Sequence, residues 1–296
     1  MKSGLVSLIG RPNAGKSSLL NRLVGVKIAI VSDKPQTTRT RILGVRNYPE
    51  GQVVFVDTPG IHRPLHRMNV RMVDAAVETL NDVDVVGVVV DASERPGGGL
   101  RYLLDLARQA KPSTVLILNK VDLVARSRLL PMIDQLQHER DWTDIIPVSA
   151  KTGENIDRLE RVLLQRLPDG EPLYPADYLT DQPERTLVAE MVREQLLQNM
   201  RDELPFSTAV LVDRFEDSDP GMLRIYCSIL VERESQKPII IGRAGESIKR
   251  IGTAARGEIE RFFRTRVFLD LRVVVKDQWR EDDRLLDRLG VKPPEE

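Results

Sequence analysis

A glycine-rich stretch near the N-terminus has the residue types and the spacing of a phosphate-binding loop. It reads Gly-Arg-Pro-Asn-Ala-Gly-Lys-Ser and completes the pattern G-x-x-x-x-G-K-[ST] directly after an apolar run. Backbone N–H groups converge in such a loop, and the dipole of a following helix adds to their attraction for phosphate. We expect Lys16 to reach the β- and γ-phosphates of a nucleotide and the Ser17 hydroxyl to ligate Mg²⁺. The predicted nucleotide-binding residues of this loop are Gly10, Arg11, Pro12, Asn13, Ala14, Gly15, Lys16, Ser17 and Ser18.

A second short motif, Asp57-Thr58-Pro59-Gly60, follows the apolar run at residues 53–56. Ligands of open α/β sheets bind at the carboxyl ends of the strands, so this motif should meet the phosphate loop there. The Asp57 carboxylate can hold Mg²⁺ through water, and the Gly60 N–H can bond to the γ-phosphate. We therefore expect Asp57, Thr58, Pro59 and Gly60 to sense whether that phosphate is present.

Two later motifs indicate which base is bound. Asn119-Lys120-Val121-Asp122 follows an apolar run, and an aspartate at residue 122 can accept hydrogen bonds from guanine N1–H and the 2-amino group. Adenine supplies neither donor, so the contact discriminates strongly. Ser149-Ala150-Lys151 follows another strand-like run and can offer a backbone N–H to guanine O6. Asn119, Lys120, Asp122, Ser149, Ala150 and Lys151 are thus predicted to bind guanine.

Four motifs in this order, each after a strand, resemble those of the Ras-like translation-factor class of GTPases over residues 4–167. The polar loop at residues 34–41 then supplies a threonine that completes the Mg²⁺ shell when the γ-phosphate is bound. Thr37 and Thr38 are both candidates, and we favour Thr38 because it precedes an arginine as in related GTPases. The predicted metal ligands are Ser17, Thr38 and Asp57.

The residue after Gly60 bears on the rate of hydrolysis. Ras-like enzymes carry a water-orienting glutamine there, whereas this chain has Ile61, so we expect slow intrinsic hydrolysis of GTP to GDP and phosphate. The resemblance implies that Asn13 helps to hold a K⁺ ion beside the β- and γ-phosphates; the alternative is that Asn13 only shapes the loop. The expected catalytic residues are Lys16, Thr38, Gly60 and Asn13.

The elements that must position these residues alternate between strand and helix. Residues 1–167 predict an α/β domain with a doubly wound, mostly parallel sheet. Residues 168–184 are rich in proline and glycine and predict a linker. Residues 185–296 follow the order helix-strand-strand-helix-helix-strand, which indicates a smaller α+β domain with a C-terminal helical tail.

The second domain carries the pattern G-x-x-G between two helical segments. Two glycines allow a tight turn to approach a nucleic-acid backbone, and flanking isoleucines, Ile248 and Ile251 among them, would form an apolar floor for bases. In this element order the segment resembles a type II KH domain. The predicted RNA-binding residues are Ile241, Gly242, Arg243, Ala244, Gly245, Ile248, Lys249 and Arg250.

Basic residues outnumber acidic ones after this turn, although the formal net charge of the whole chain is zero. We expect the positive charge to line the same groove, and the alternative for residues 256–264 is a solvated helix face. The basic residues concerned are Arg243, Lys249, Arg250, Arg256, Arg261, Arg264, Arg266 and Arg272.

The combination of the two domains resembles the Era family of bacterial GTPases over essentially the whole chain. The resemblance implies a GTP/GDP switch that binds single-stranded RNA near the 3′ end of 16S rRNA and assists maturation of the 30S subunit. It also implies a monomer with peripheral membrane association. The alternatives are a signalling GTPase whose C-terminal module binds protein or membrane, and a tRNA- or iron-handling GTPase that shares only the first domain.

Composition agrees with a cytoplasmic protein. The single cysteine, Cys227, excludes an intramolecular disulfide framework, and its apolar surroundings predict a buried strand residue. No apolar run is as long as a membrane span, and we expect no signal peptide.

Overall fold

The computed structural model describes residues 1–34, 37–60, 68, 70–72, 74, 80, 82–94, 97–109, 112–200, 204, 207–219 and 221–291. The described chain forms two compact units that meet in sequence between Asp181 and Gln182. Each unit has its own hydrophobic core. The helix expected over residues 68–80 lies mostly outside the described residues.

In the described part of the first unit, six strands form one sheet in the order β2-β3-β1-β4-β5-β6. Every neighbouring pair is parallel except β2 and β3, which are antiparallel. The strands are β1 (Lys2–Gly10), β2 (Ile42–Tyr48), β3 (Gly51–Asp57), β4 (Val85–Asp91), β5 (Ser113–Asn119) and β6 (Asp144–Pro147). The helices are α1 (Lys16–Val24), α2 (Gly98–Gln109), α3 (Arg126–Gln137) and α4 (Ile156–Arg166).

The central strands are apolar along their whole length because helices cover both faces of the sheet. Successive residues of β5 show this: Val115 and Ile117 pack into one core, whereas Leu116 and Leu118 pack into the core on the opposite face. The predicted doubly wound α/β fold is therefore confirmed. It brings the ends of β1, β3 and β5 to the same edge of the sheet, where the three polar motifs begin.

Most of the predicted linker packs along the first unit. Isolated β-bridges join Lys2 to Asp169 and Gly44 to Thr180. The rings of Tyr174 and Tyr178 stack at 4.7 Å, and both pack against the β2–β3 side of the sheet. Residues 168–181 thus belong to this unit, whereas the sequence predicts a linker there. Aperiodic, proline-rich sequence gives no sign of this packing.

The second unit has the expected element order. Its described strands form a three-stranded sheet in the order β7-β8-β9, with β7 antiparallel and β9 parallel to β8. Its elements are α5 (Glu184–Asn199), β7 (Ala209–Asp219), β8 (Met222–Val231), α6 (Lys237–Ile241), α7 (Glu246–Phe263), β9 (Arg266–Val275) and α8 (Asp283–Arg288). A smaller α+β domain is therefore confirmed.

Alternate residues of β8 face the core of the second unit. Ile225, Cys227 and Ile229 are buried there, and the packing explains why a small thiol occupies the middle position. Burial raises the pKa of Cys227 to about 12. Among the described helices of the chain, none has the length and apolar character that crossing a bilayer requires.

Candidate nucleotide-binding and nucleic-acid-binding sites

The phosphate loop connects β1 to α1, which begins at Lys16. Asn13 and Gly15 adopt positive φ angles of 64° and 90°, so the backbone folds back on itself between strand and helix. A Cβ atom at Gly15 would lie 2.2 Å from Asn119 Nδ2. Glycine is therefore required at this position by the backbone conformation and by the neighbouring loop.

Lys16 is almost fully buried within this loop. Its Nζ donates to the carbonyl oxygens of Gly10 and Arg11, each at 3.3 Å. Burial lowers the pKa of Lys16, and the negative charge of Asp57 opposes that shift. The structure thus places the lysine ammonium group where the sequence predicts phosphate, and its hydrogen bonds to the loop carbonyls are long.

Three oxygen-bearing side chains from separate segments converge beside Lys16. Ser17 Oγ lies 2.7 Å from both Thr38 Oγ1 and Asp57 Oδ2, and Thr38 Oγ1 donates to Asp57 Oδ2 at 3.3 Å. Thr37 Oγ1 instead donates to the Lys34 carbonyl at 2.6 Å. The structure therefore brings Thr38, and not Thr37, into the cluster with the other two predicted metal ligands.

The chemistry of this cluster fits a hard divalent cation. Hydroxyl and carboxylate oxygens are the ligands that Mg²⁺ prefers. Asp57 Oδ1 is buried and accepts no hydrogen bond within the described part of the chain, so the carboxylate has unused acceptor capacity. Burial raises the pKa of Asp57, while Lys16 and the hydroxyls of Ser17 and Thr38 act in the opposite direction.

Asn119 links the phosphate loop to the loop after β6. Its Nδ2 donates to the Ala14 carbonyl at 2.9 Å, and its Oδ1 accepts from the Ala150 N–H at 3.0 Å. Sequence reasoning placed Asn119 among the base-binding residues without seeing this bridge. Both ends of its amide are used within the protein, so Asn119 holds two binding loops together.

The remaining base-recognition residues are also tied to each other. Ser149 Oγ donates to Asp122 Oδ1 at 2.6 Å, which fixes the carboxylate at the sheet edge. Lys120 Nζ lies 2.6 Å from Asp91 Oδ2. Arg22 donates to the carbonyls of Ala150 and Lys151 and so anchors that loop to α1.

Other predicted residues hold the phosphate loop and the motif after β3 in place. A Cβ atom at Gly60 would lie 2.9 Å from Pro12 Cα, so only glycine allows this close approach. Thr58 Oγ1 donates to the Leu8 carbonyl at 3.1 Å. The Arg11 guanidinium pairs with Glu94. Ile61 lies outside the described residues.

Asn13 reaches across the site to a segment that sequence reasoning missed. Its Nδ2 donates to the Asp33 carbonyl at 2.6 Å. Residues 30–33 line the nucleotide cleft with the phosphate loop. The loop N-terminal to them is braced by Asn21, which accepts from two backbone N–H groups and donates to the Ala29 carbonyl. No short motif marks residues 30–33, so their position is visible only in the fold.

The G-x-x-G segment of the second unit forms a tight turn between α6 and α7. Gly242, Ala244 and Gly245 have positive φ angles of 76°, 51° and 79°. A Cβ atom at Gly242 would lie 2.6 Å from Ser247 Cβ, so this glycine is needed for packing. A Cβ atom at Gly245 would have nothing within 4 Å. The turn therefore exposes backbone on the Gly245 side.

The flanking side chains divide between solvent and core. Arg243, Lys249 and Arg250 are exposed, whereas Ile241 and Ile248 are partly buried. Ile251 is fully buried in the core, so the expectation that it forms part of a floor for bases is wrong. Ile251 follows Ile248 by three positions, so the two side chains share one face of α7, and Ile248 also packs against this core.

Comparisons with known proteins agree with this two-unit organisation. A family model described as 50S ribosome-binding GTPase matches residues 5–120, and a KH domain model matches residues 203–280. GTPase Era of Geotalea daltonii is 49% identical over 288 residues, which cover 97% of both chains. GTPase Era of Heliobacterium modesticaldum is 46% identical over 290 residues, covering 98% of this chain and 97% of the relative.

The chain belongs to the Era family of GTPases. Two solved Era structures match it over 99% of its length at 40% sequence identity. One is an Aquifex aeolicus Era variant bound to GDP.AlF4-, with a TM-score of 0.94 and 100% of that chain covered. The other is Era in complex with MgGDPNP and nucleotides 1506–1542 of 16S ribosomal RNA, with a TM-score of 0.95 and 99% of that chain covered.

Proposed function

We propose that this Era-family GTPase is a switch that binds GTP or GDP with Mg²⁺, hydrolyses GTP, binds the 3′ region of 16S rRNA and assists 30S maturation. The observation that carries the nucleotide half is the convergence of Ser17, Thr38 and Asp57 beside buried Lys16. The RNA half is supported by the open side of the G-x-x-G turn. A solved relative holds MgGDPNP and 16S rRNA nucleotides together.

The phosphate end of the site works through charge and positioning. Lys16 would exchange its two loop carbonyls for β- and γ-phosphate oxygens, which are stronger, charged acceptors. Ser17 and Thr38 would ligate Mg²⁺ directly, and Asp57 would hold its water shell. When bound, Mg²⁺ neutralises charge on the phosphates. Thr38 Oγ1 contacts Ser17 and Asp57, so loss of the γ-phosphate and Mg²⁺ would weaken the attachment of its loop to the site.

The base end selects guanine through Asp122. Ser149 occupies one carboxylate oxygen by a 2.6 Å hydrogen bond and so restricts the rotation of the carboxylate. A charged acceptor fixed in this way rejects a base that lacks the matching N–H donors. Lys120, held by Asp91 at 2.6 Å, would lie along the purine ring.

Hydrolysis is proposed to be slow without further assistance, because Ile61 offers no group to orient the attacking water. Asn13 is proposed to help hold K⁺ beside the phosphates. Its Nδ2 already bonds to Asp33, so its Oδ1 is the atom suited to ligate a cation. Gly60 would present its backbone N–H to the γ-phosphate.

The RNA-binding half makes a sharp prediction at Gly245. Aspartate tolerates left-handed backbone better than most residues, and an added side chain meets no protein atom, so Gly245→Asp should fold. The new carboxylate would project where the RNA backbone must approach and would repel it. Arg243→Ala removes a single phosphate contact and should cost less, with a shallower salt dependence.

The experiment is a titration of fluorescent single-stranded RNA from the 16S 3′ region against the wild type and both variants at two salt concentrations. GTP hydrolysis without RNA should be unchanged in both variants. If folded Gly245→Asp binds RNA as the wild type does, the assignment of this turn to RNA fails.

A further inference from the structure

The arginines that follow the G-x-x-G turn in sequence do not all lie beside it. Helix α7 has 18 residues and is therefore about 27 Å long. Arg264 and Arg266 follow its C-terminal end, whereas the G-x-x-G turn precedes its N-terminus. The expectation that these arginines line the G-x-x-G groove is thus wrong for this pair, because the rise of the helix separates them from it.

At this far end, Arg256, Arg264 and Arg266 surround an open depression whose wall includes Val267. None of the three arginines forms an ion pair within the described part of the chain, in contrast to Arg272 farther along β9, which pairs with Asp213 at 3.2 Å. Three positively charged side chains therefore line one opening. Such a concavity attracts an anion, and repeated phosphates suit it best.

One acidic residue also lines the depression, and it is already engaged. Glu260 Oε1 accepts a hydrogen bond from the Val267 N–H at 3.0 Å. This contact ties the end of α7 to the start of β9. Glu260 therefore fixes the geometry of the depression and offsets only one of its three positive charges.

An aromatic surface begins directly beside these arginines. Phe268 is 45% exposed, and it lies two residues after Arg266 on the same face of β9. Its ring lies 5.8 Å from that of Tyr226 on β8. The Arg214 guanidinium lies over the Tyr226 ring, 4.3 Å from the ring centre. An exposed ring next to an arginine, such as Phe268 beside Arg266, is a combination on which an unpaired base can stack while its phosphate is neutralised.

We propose that this distal surface, formed by Arg256, Arg264, Arg266, Tyr226 and Phe268, binds single-stranded RNA beyond the nucleotides held at the G-x-x-G turn. The arginines contact phosphates, and Phe268 stacks on a base. This inference rests on the proposed RNA-binding function and extends it to a second surface of the same unit. It predicts that affinity rises when the RNA is long enough to reach both ends of α7.

The test uses the full chain and two single-stranded RNAs from the 16S 3′ region. A tetranucleotide fills only the G-x-x-G clamp, because KH domains hold four nucleotides, whereas a strand of roughly twelve nucleotides extends past it. The variants are Arg264→Gln with Arg266→Gln, and Phe268→Ala. The matched control is Arg126→Gln with Arg128→Gln, which removes two exposed charges from α3 in the first unit.

The arginine double variant should bind the long RNA about tenfold more weakly, and its log–log salt slope should fall by about 1.4, the value for two lost phosphate contacts on a single strand. Phe268→Ala should weaken long-RNA binding roughly tenfold with an unchanged salt slope, and Phe268→Tyr should restore it. Tetranucleotide binding should be unchanged in all of these variants and in the control.

The outcomes separate the two claims. If the wild type binds neither RNA, the proposed function fails and this inference fails with it. If Gly245→Asp abolishes tetranucleotide binding while the distal variants bind the long RNA as the control does, only the distal surface is refuted. Loss of binding to phosphatidylglycerol vesicles in the arginine variant, with RNA binding intact, would also overturn the proposal and assign the surface to lipid.

Discussion

Replacement of Asp122 by asparagine tests guanine recognition at a single atom. In the structure, Asp122 Oδ1 accepts from Ser149 Oγ at 2.6 Å. The amide oxygen of an Asp122→Asn variant can keep that bond, which would direct the new NH₂ group toward the base. Guanine would then meet a donor where it also presents donors, whereas xanthine presents a carbonyl oxygen at the 2-position.

The expected change in affinity follows from the two bonds at stake. Hydrogen bonds to a charged group contribute about 1.5–3 kcal/mol each, so losing two would cost about 3–6 kcal/mol. Because Asp122 is exposed to solvent, we expect the lower end, which corresponds to roughly 10²-fold weaker GTP binding. Xanthosine triphosphate should gain affinity over the same range.

The assay is competition binding of GTP and xanthosine triphosphate to the wild type and the variant. Ser149→Ala is the matched control, because it frees the carboxylate to rotate but leaves the acceptor in place. That control should weaken GTP binding modestly and keep the preference for guanine. An Asp122→Asn protein that still prefers GTP to the same degree would refute the assignment of this loop.

Four other experiments test the metal-ligand cluster, the role of Asn13, the strain at Ala244 and the burial of Cys227. Thr38→Ala should lower Mg²⁺-dependent GTP affinity at least tenfold, whereas Thr37→Ala should have little effect. Nucleotide titration with and without Mg²⁺ measures both variants, and equal effects would contradict the geometry of the cluster. Hydrolysis should be faster in K⁺ than in Na⁺, and Asn13→Ala should remove the difference; a variant that still responds to K⁺ excludes the proposed role. Ala244→Gly should raise the free energy of unfolding by about 0.5–1 kcal/mol, because relief of the strain at the positive φ of Ala244 outweighs the entropy that glycine adds to the unfolded chain. Urea unfolding that shows no gain would argue against this strain. Cys227 should resist thiol reagents in the folded protein. The free energy of unfolding should fall between pH 9.0 and about 12, because only the thiol of the unfolded chain ionises in that range. The Cys227→Ala variant should lack this contribution to the fall.

Much of the first unit could be predicted because its signals are local. An apolar run, a glycine loop and a helix start lie next to one another around Lys16, so sequence spacing alone indicates the loop. The parallel sheet then brings Asp57 and Asn119 to the same edge. The choice between Thr37 and Thr38 could not be made in this way, because adjacent hydroxyls in an irregular loop have no periodicity to orient them.

The differences between expectation and structure arise where long-range packing decides. Residues 168–181 contain turn-forming prolines, yet Tyr174 and Tyr178 pack against apolar residues of β2 and β3 that are distant in sequence. The sequence alone predicts that Ile251 and the arginines near residue 264 share one groove with the G-x-x-G turn. In the structure Ile251 lies on the buried face of α7, and the 18-residue helix places Arg264 and Arg266 at the end opposite the turn.

The proposed switch joins a guanine-nucleotide site to recognition of the 3′ region of 16S rRNA in one chain. The most direct measurement is crosslinking of the protein to cellular RNA, followed by sequencing, with the protein held in GTP-analogue, GDP and nucleotide-free states. We expect crosslinks concentrated at the 16S 3′ end, carried by the second unit and strongest in one nucleotide state. Crosslinks spread over unrelated RNAs, or equal in all three states, would contradict the proposal.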